Sequence, residues 1–165
     1  MEIPNQRVLN WGGVLACSGM MLYALYAQHF LDLAPCPLCV FQRISVILMG
    51  LVFLAAAVHN PARSGSIFYS LLLLATAAGG IGVAGRHLWL QSLPPDKVPA
   101  CGPGLEFMLD SFAFTEVLQM VFSGSGECAE VDWSLFGLSM PAWVLIGLVG
   151  LLIYGLFANL VRDRL

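Results

Sequence analysis

From Leu135 to Val161, almost to the end of the chain, no residue carries a formal charge. Three more apolar runs precede this one: Val8 to Phe30, Ile67 to Gly85, and Val40 to Val58, the last interrupted by Gln42 and Arg43 near its start. A helix needs roughly 17–25 apolar residues to cross the hydrocarbon layer of a bilayer, so each run has the length of a membrane span or nearly so. The competing reading is four core helices of a soluble globule. Composition argues against it, because 59% of the 165 residues are hydrophobic and only 10% are charged. Soluble domains carry roughly 25% charged residues, and a chain of this size keeps roughly 30% of its unfolded area in contact with solvent. Too little polar chain is left to cover four such helices. The same numbers exclude a disordered chain, and a net charge of −3 without a basic cluster gives no support to nucleic-acid binding. The runs are continuous rather than alternating, which favours helices over a barrel.

The expected fold is therefore an all-α membrane protein: a four-transmembrane-helix bundle forming a single membrane domain over residues 1–165. Its spans fall at about 10–31, 40–58, 67–88 and 139–160, with outer loops at about 32–39 and 89–138. Arg7, Arg63, Arg162 and Arg164 share one side, and only Arg86 and Lys97 lie on the other. By the excess of basic residues in cytoplasmic segments, both termini are expected inside. Val14-Leu15-Ala16-Cys17-Ser18 faintly resembles a lipoprotein processing site, but cleavage there would leave a first span too short to cross. Span 1 is read as an uncleaved anchor with Cys17 a small buried hydrophobe within it.

This map sorts the five cysteines. Cys36 and Cys39 end the first outer segment, Cys101 and Cys128 bracket most of the second, and Cys17 alone lies mid-membrane. An outer, oxidising compartment lets disulfides persist. The natural pairing is Cys36–Cys39 and Cys101–Cys128, although four cysteines permit three connectivities. As a staple, a Cys101–Cys128 bond could contribute about 3 kcal/mol by loop closure. Cys36–Cys39 closes too small a ring to act that way, and Cys-x-x-Cys is the spacing of redox-active thiols. A zinc site is the other alternative. It normally wants a second close pair or closely spaced histidines, which Cys101 and Cys128 do not supply, so no metal is expected.

The local sequence Pro35-Cys36-Pro37-Leu38-Cys39-Val40-Phe41-Gln42-Arg43 places Pro37 at a helix start, Cys36 at the N-cap and Cys39 in the first turn. Unpaired N–H groups and the positive helix end favour a thiolate at Cys39, and Arg43, four residues on, shares its face. Arg43 itself is either a snorkelling interfacial residue or a donor aimed at a ligand; the two readings weigh equally on sequence physics.

Two sulfur couples on one face suggest an electron relay. A thioredoxin-like pair near −270 mV cannot oxidise a strong oxidant near −120 mV, since the gap of about 150 mV costs about 7 kcal/mol for two electrons. An outer-face oxidase thus needs a stronger terminal acceptor. With no haem, flavin or iron–sulfur motif in the chain, a lipid-soluble quinone fits.

Pro35-Cys36-Pro37-Leu38-Cys39 with Arg43, Arg86-His87-Leu88-Trp89-Leu90-Gln91, and Cys128-Ala129-Glu130 followed by Trp133, Gly137-Leu138, Met140-Pro141 and Trp143 together resemble the DsbB family over nearly the whole chain. These are bacterial inner-membrane thiol:quinone oxidoreductases that reoxidise the thiol oxidase DsbA, and the DsbA–DsbB–quinone system is what keeps the bacterial periplasm oxidising. The resemblance implies that a reduced DsbA-like periplasmic partner attacks Cys101, that Cys128 is released and passes electrons to Cys36, and that Cys39 faces the quinone, ubiquinone or menaquinone. Arg43 would contact the quinone, with His87 near it. Cys17 matches no functional position. The rivals are a four-helix scaffold with two purely structural disulfides and a relay running in the reducing direction.

Leu105–Phe122 is apolar but broken by Glu106, Asp110, Glu116 and Gln119, and reads as a short interfacial helix with Phe107, Met108, Phe112 and Phe114 on lipid. Ala75, Ala78, Gly79 and Gly82 are expected to allow close helix packing, and Trp11, Trp89 and Trp143 to anchor span ends.

Overall fold

The computed structural model describes residues 5–98, 105–123 and 126–161. Among the described residues, four helices are long and apolar enough to cross a membrane. They are α1 (Gln6–Phe30), α2 (Pro37–His59), α3 (Arg63–Gln91) and α6 (Met140–Leu156), the last continued by one π-helical turn, Phe157–Val161. Between α3 and α6 come α4 (Leu105–Ser111), α5 (Phe114–Ser123), a 3-10 turn at Gly126–Cys128, and a two-residue hairpin, β1 (Ser134–Leu135) with β2 (Leu138–Ser139). The chain is a four-helix membrane bundle, as its sequence implies.

The helices run past the apolar stretches that announce them. A helix ends where its backbone groups find caps, not where its side chains turn polar. Thus α2 starts at Pro37, which lacks an N–H to leave unpaired, and stops at Asn60 in the left-handed conformation (φ 43°), whose N–H returns to Ala56 O at 2.9 Å. α3 has 29 residues, about 44 Å against a hydrocarbon layer of about 30 Å, and so overshoots the span expected at 67–88. Conversely, the first residues of the last uncharged run are not helical. Phe136 (φ 53°) and Gly137 (φ 78°) form a hairpin tip with Leu135 and Leu138 paired behind it.

Two apolar cores stack along the bundle. Mid-bundle, Cys17, Met49, Phe53, Leu73, Ala77 and Leu148 interlock. Phe53 fits only because Gly13 and Gly155 lack side chains: a Cβ on either would stand 2.5 or 2.9 Å from its ring. At one end, the cysteine end, which carries Cys36, Cys39 and Cys128, Leu38 and Leu90 from the long helices pack against Met108, Val117, Val121 and Cys128.

Two expectations of detail are corrected here. The interfacial segment is two helices, not one, with Ala113 O accepting from both Glu116 and Val117 to start α5. Its Met108 is 3% exposed and belongs to the protein core; Phe107 and Phe112 are exposed, and the side chain of Phe114 lies outside the described ones. Second, Ala75, Ala78, Gly79 and Gly82 face outward. The packing stripe of α3 is Ser66, Ser70, Leu73, Ala77, Gly80, Ala84 and His87, with Gly80 admitting Leu148 and Ser45. Small residues occur on every side of this helix, so composition alone cannot choose the face. Trp11, Trp89 and Trp143 are all exposed, with the Arg86 guanidinium 4.1 Å from the centre of the Trp89 ring.

The opposite, basic end carries a buried polar clamp. Gln6 Nε2 donates to Ser66 Oγ (2.8 Å) and Asn159 Oδ1 (3.1 Å). Asn10 and Asn159 exchange two amide bonds at 3.2 Å, and Asn159 Nδ2 also reaches Gly155 O at 2.8 Å. The clamp joins α1, α3 and the π turn.

Candidate functional site

At the cysteine end three elements converge on one sulfur. Cys36 is the extended N-cap of α2, and its Sγ accepts the N–H of Cys39 at 3.3 Å. This turn brings Cys39 Sγ to 2.9 Å from Cys36 Sγ. From α3, His87 arrives on the buried stripe with Nε2 3.9 Å from Cys36 Sγ. From the 3-10 turn, Cys128, 1% exposed, completes a group in which Cys36 Sγ, Cys128 Sγ and a His87 ring nitrogen all lie within 4.8 Å of one another. Among the described residues no other three His, Cys, Asp or Glu side chains converge in this way.

Cys36 is thus the sulfur with two sulfur neighbours, one on its own helix and one from the distant turn. Its thiol is held well above the ordinary range, first by the hydrogen bond with Cys128, then by that with Cys39, and then by burial. A thiol held protonated is neither a ready attacking thiolate nor a fast leaving group, which suits Cys36 to being the sulfur that is attacked. The Cys36–Cys128 approach is close enough that a bond of about 2.05 Å needs movement of less than about 3 Å. Cys101 lies outside the described residues.

Second-rank residues orient these groups. Gln42, 3% exposed, sets its side-chain amide 3.1 Å from His87 Nδ1, which fixes the ring and leaves Nε2 toward the sulfurs. Gln91 accepts from Ser139 Oγ at 2.7 Å and reaches Glu130 O at 3.5 Å, which ties α3 to the segment that carries Cys128 and to the start of α6. Neither glutamine was singled out for these roles from the sequence. The signal for Gln42 was a polar residue interrupting an apolar run, and that for Gln91 its place at the end of the Arg86–Gln91 stretch.

Beside Cys36 and Cys39 lies a cavity of about 250 Å³, walled among others by Met20, Ala24, Arg43, His87, Trp133 and Met140. This is near the low end for small-molecule sites, roughly 300–1,000 Å³. Arg43 lines it, but the guanidinium is not turned to Cys39 as its place on the helix face suggested. Nη1 donates to Gln28 Oε1 and Nη2 to Ala24 O at 3.2 Å, both on α1. A charge inside an apolar bundle takes the nearest acceptors, here a side chain and a carbonyl in a neighbouring helix. The cavity is mostly apolar, with Arg43, His87, two glutamines and the carboxyl-bearing residues Glu127, Glu130 and Asp132 also among its lining.

A family model described as "Disulfide bond formation protein DsbB" matches residues 6–158. The chain belongs to the DsbB family. Its relatives include proteins named "Disulfide bond formation protein B" from Hahella chejuensis, 54% identical over 150 residues and 91% of each chain, and from Methylococcus capsulatus, 50% identical over 92% of each. A relative from Stutzerimonas stutzeri is 42% identical and covers 99% of this chain and 100% of its own. Disulfide formation by an oxidoreductase embedded in a membrane through several spans is the role of this DsbB-family chain.

Proposed function

We propose that the protein oxidises the dithiol of a DsbA-like periplasmic thiol oxidase and passes the electrons through two cysteine pairs to a membrane quinone. The observation that carries this reading is the position of Cys36, with Cys39 at 2.9 Å on one side, Cys128 within 4.8 Å on the other, and a cavity alongside. In the first exchange a partner thiolate attacks Cys101 of a Cys101–Cys128 disulfide; the partner's second thiol then closes its own disulfide and frees both cysteines. In the second, the Cys128 thiolate attacks Cys36 of a Cys36–Cys39 disulfide and releases Cys39; Cys101 then resolves the mixed bond. The Cys36–Cys39 dithiol finally gives two electrons and two protons to the quinone and closes again. Each exchange conserves the number of disulfides until the last, where the quinone is reduced.

The cavity suits a flat ring with two carbonyl oxygens: Arg43 supplies a fixed cationic donor, His87 a second polar wall, and Met20, Ala24 and Met140 apolar surface. Ubiquinone and menaquinone share this chemistry. A lipid-soluble acceptor is supported by the cavity's lining, which includes residues of helices long and apolar enough to span a bilayer. The distribution of arginines supports cytoplasmic termini and periplasmic reactive cysteines, and membership of the DsbB family supports the bacterial inner membrane as the location.

The test is anaerobic mixing of the purified protein with quinone and the reduced thiol oxidase while quinone absorbance is followed. Catalytic loss of the oxidised-quinone band with stoichiometric formation of the partner's disulfide is expected. A scaffold with inert disulfides would leave both unchanged and would form no mixed disulfide with the partner.

A further inference from the structure

The sulfurs of Cys36 and Cys128 and the imidazole of His87 come from three separate elements, yet their ligating atoms lie within 4.8 Å of one another, with Cys36 Sγ to His87 Nε2 at 3.9 Å. Tetrahedral zinc, bonded at about 2.3 Å to sulfur and about 2.0–2.1 Å to nitrogen, holds such atoms about 3.5–3.8 Å apart. Each pair is therefore within about 1.3 Å of the spacing a bound ion imposes. Two soft thiolates and a neutral imidazole are a zinc-class donor set. The supporting contact is also present. Gln42 Nε2 lies 3.1 Å from His87 Nδ1 and fixes the ring with its Nε2 on the side of the sulfurs.

We propose that the reduced protein binds one zinc-class divalent cation through Cys36 Sγ, Cys128 Sγ and His87 Nε2, and that the ion arrests the relay in its reduced state. Each coordinating thiol gives its proton to solvent, the imidazole binds neutral, and no electron moves. Any disulfide that includes Cys36 or Cys128 removes a ligand, so oxidation expels the ion. Binding follows from the geometry alone; the arrest rests on the function proposed above.

The experiment uses the full chain in detergent, reduced, freed of reductant and kept anaerobic, with Co²⁺ as the spectroscopic probe and Zn²⁺ as competitor. One Co²⁺ per chain is expected, with thiolate-to-cobalt charge-transfer absorbance that Zn²⁺ abolishes. Gln42→Ala should weaken binding roughly 10–100-fold, and His87→Gln by more. Oxidised wild-type protein, identical in sequence and folded, should give no such absorbance. Lack of the absorbance in reduced wild-type protein, or its persistence in Cys36→Ser, Cys128→Ser or the oxidised chain, would overturn the site. The arrest is read separately: Zn²⁺ should stop quinone reduction by the reduced protein, and a chelator should restore it. Binding without loss of turnover would overturn the arrest while leaving the site and the function intact.

Discussion

The two ends of the bundle bury polar groups in opposite ways. At the basic end Gln6, Asn10, Ser66 and Asn159 are neutral, and their bonds of 2.8–3.2 Å are closed among themselves and nearby carbonyls. At the cysteine end short contacts, 2.9 Å between the sulfurs of Cys36 and Cys39 and 3.1 Å from Gln42 to His87, stand beside open ones, 3.9 Å from Cys36 to His87 and within 4.8 Å from Cys36 to Cys128, with a cavity next to them. A saturated amide network in a low-dielectric interior has one arrangement and holds helices in register. A sulfur with two neighbours and unfilled space has alternatives, which is what an exchange reaction needs. The comparison teaches that burial of polar atoms does not itself mark a site; unfinished contacts between reactive atoms do.

The sharpest way to break this contrast is at Cys39. Cys39→Ser should reduce quinone turnover to background while leaving the thermal midpoint in detergent nearly unchanged, because a serine oxygen fills almost the same space. Turnover near wild type would remove Cys39 from the relay. Arg43→Ala comes next. A hydrogen bond to a charged donor is worth about 1.5–3 kcal/mol, so the KM for quinone should rise roughly tenfold or more, with the KM for the thiol oxidase unchanged. Arg43→Lys should recover part of it. A change confined to the thiol oxidase KM would take Arg43 out of the quinone site.

Asn159→Leu probes the other end. It removes the bonds that Gln6 and Asn10 make to Asn159, leaving Gln6 its bond to Ser66 and Asn10 its bond to Gln6 O, and interhelical bonds of this kind average about 0.6 kcal/mol with an upper value near 1.7 kcal/mol. Unfolding followed by circular dichroism should show a loss of about 1–2 kcal/mol, with quinone turnover per folded molecule unchanged. A fall in turnover at unaltered stability would mean that the clamp and the cysteine end are coupled, and the contrast drawn above would fail.

What was legible in the chain follows the same division. Four apolar runs are long enough that no competing fold can hide them, so helix number and order could be read directly. Cys36–Cys39 was legible because its chemistry is local, confined to one helical turn. The approach of Cys128 to Cys36 was implied by the family resemblance alone and not by spacing or periodicity, because it depends on how α4 and α5 dock, and that rests on Met108, Val117 and Val121 turning to the protein rather than to lipid. The clamp was hidden for a related reason. Gln6 and Asn159 are 153 residues apart, and one π turn helps to place the latter inside. The type of Arg43 announced a site, but its acceptors on α1 could be known only from the packing. On α3, abundant small residues erased the periodicity that would have distinguished Ala77 and Gly80 from Ala78 and Gly79.

The smallest expected effect separates the two ends by pH. The Cys36 thiol of the structure is raised by its bonds to Cys128 and Cys39 and by burial, so the folded reduced chain holds this proton at a pH where the unfolded chain has released it. An unfolded cysteine titrates near about pH 8.5. Above that value the folded state binds more protons than the unfolded one, and stability must fall as pH rises; below it the contribution is fully present. The thermal midpoint of the reduced protein should therefore decline from about pH 8.5 upward, more steeply than that of Cys36→Ser, while the neutral amides of the clamp add no slope. Identical pH profiles for the reduced wild type and Cys36→Ser would mean that the proton on Cys36 is not held by the fold. The cysteine end would then be as closed to exchange as the clamp.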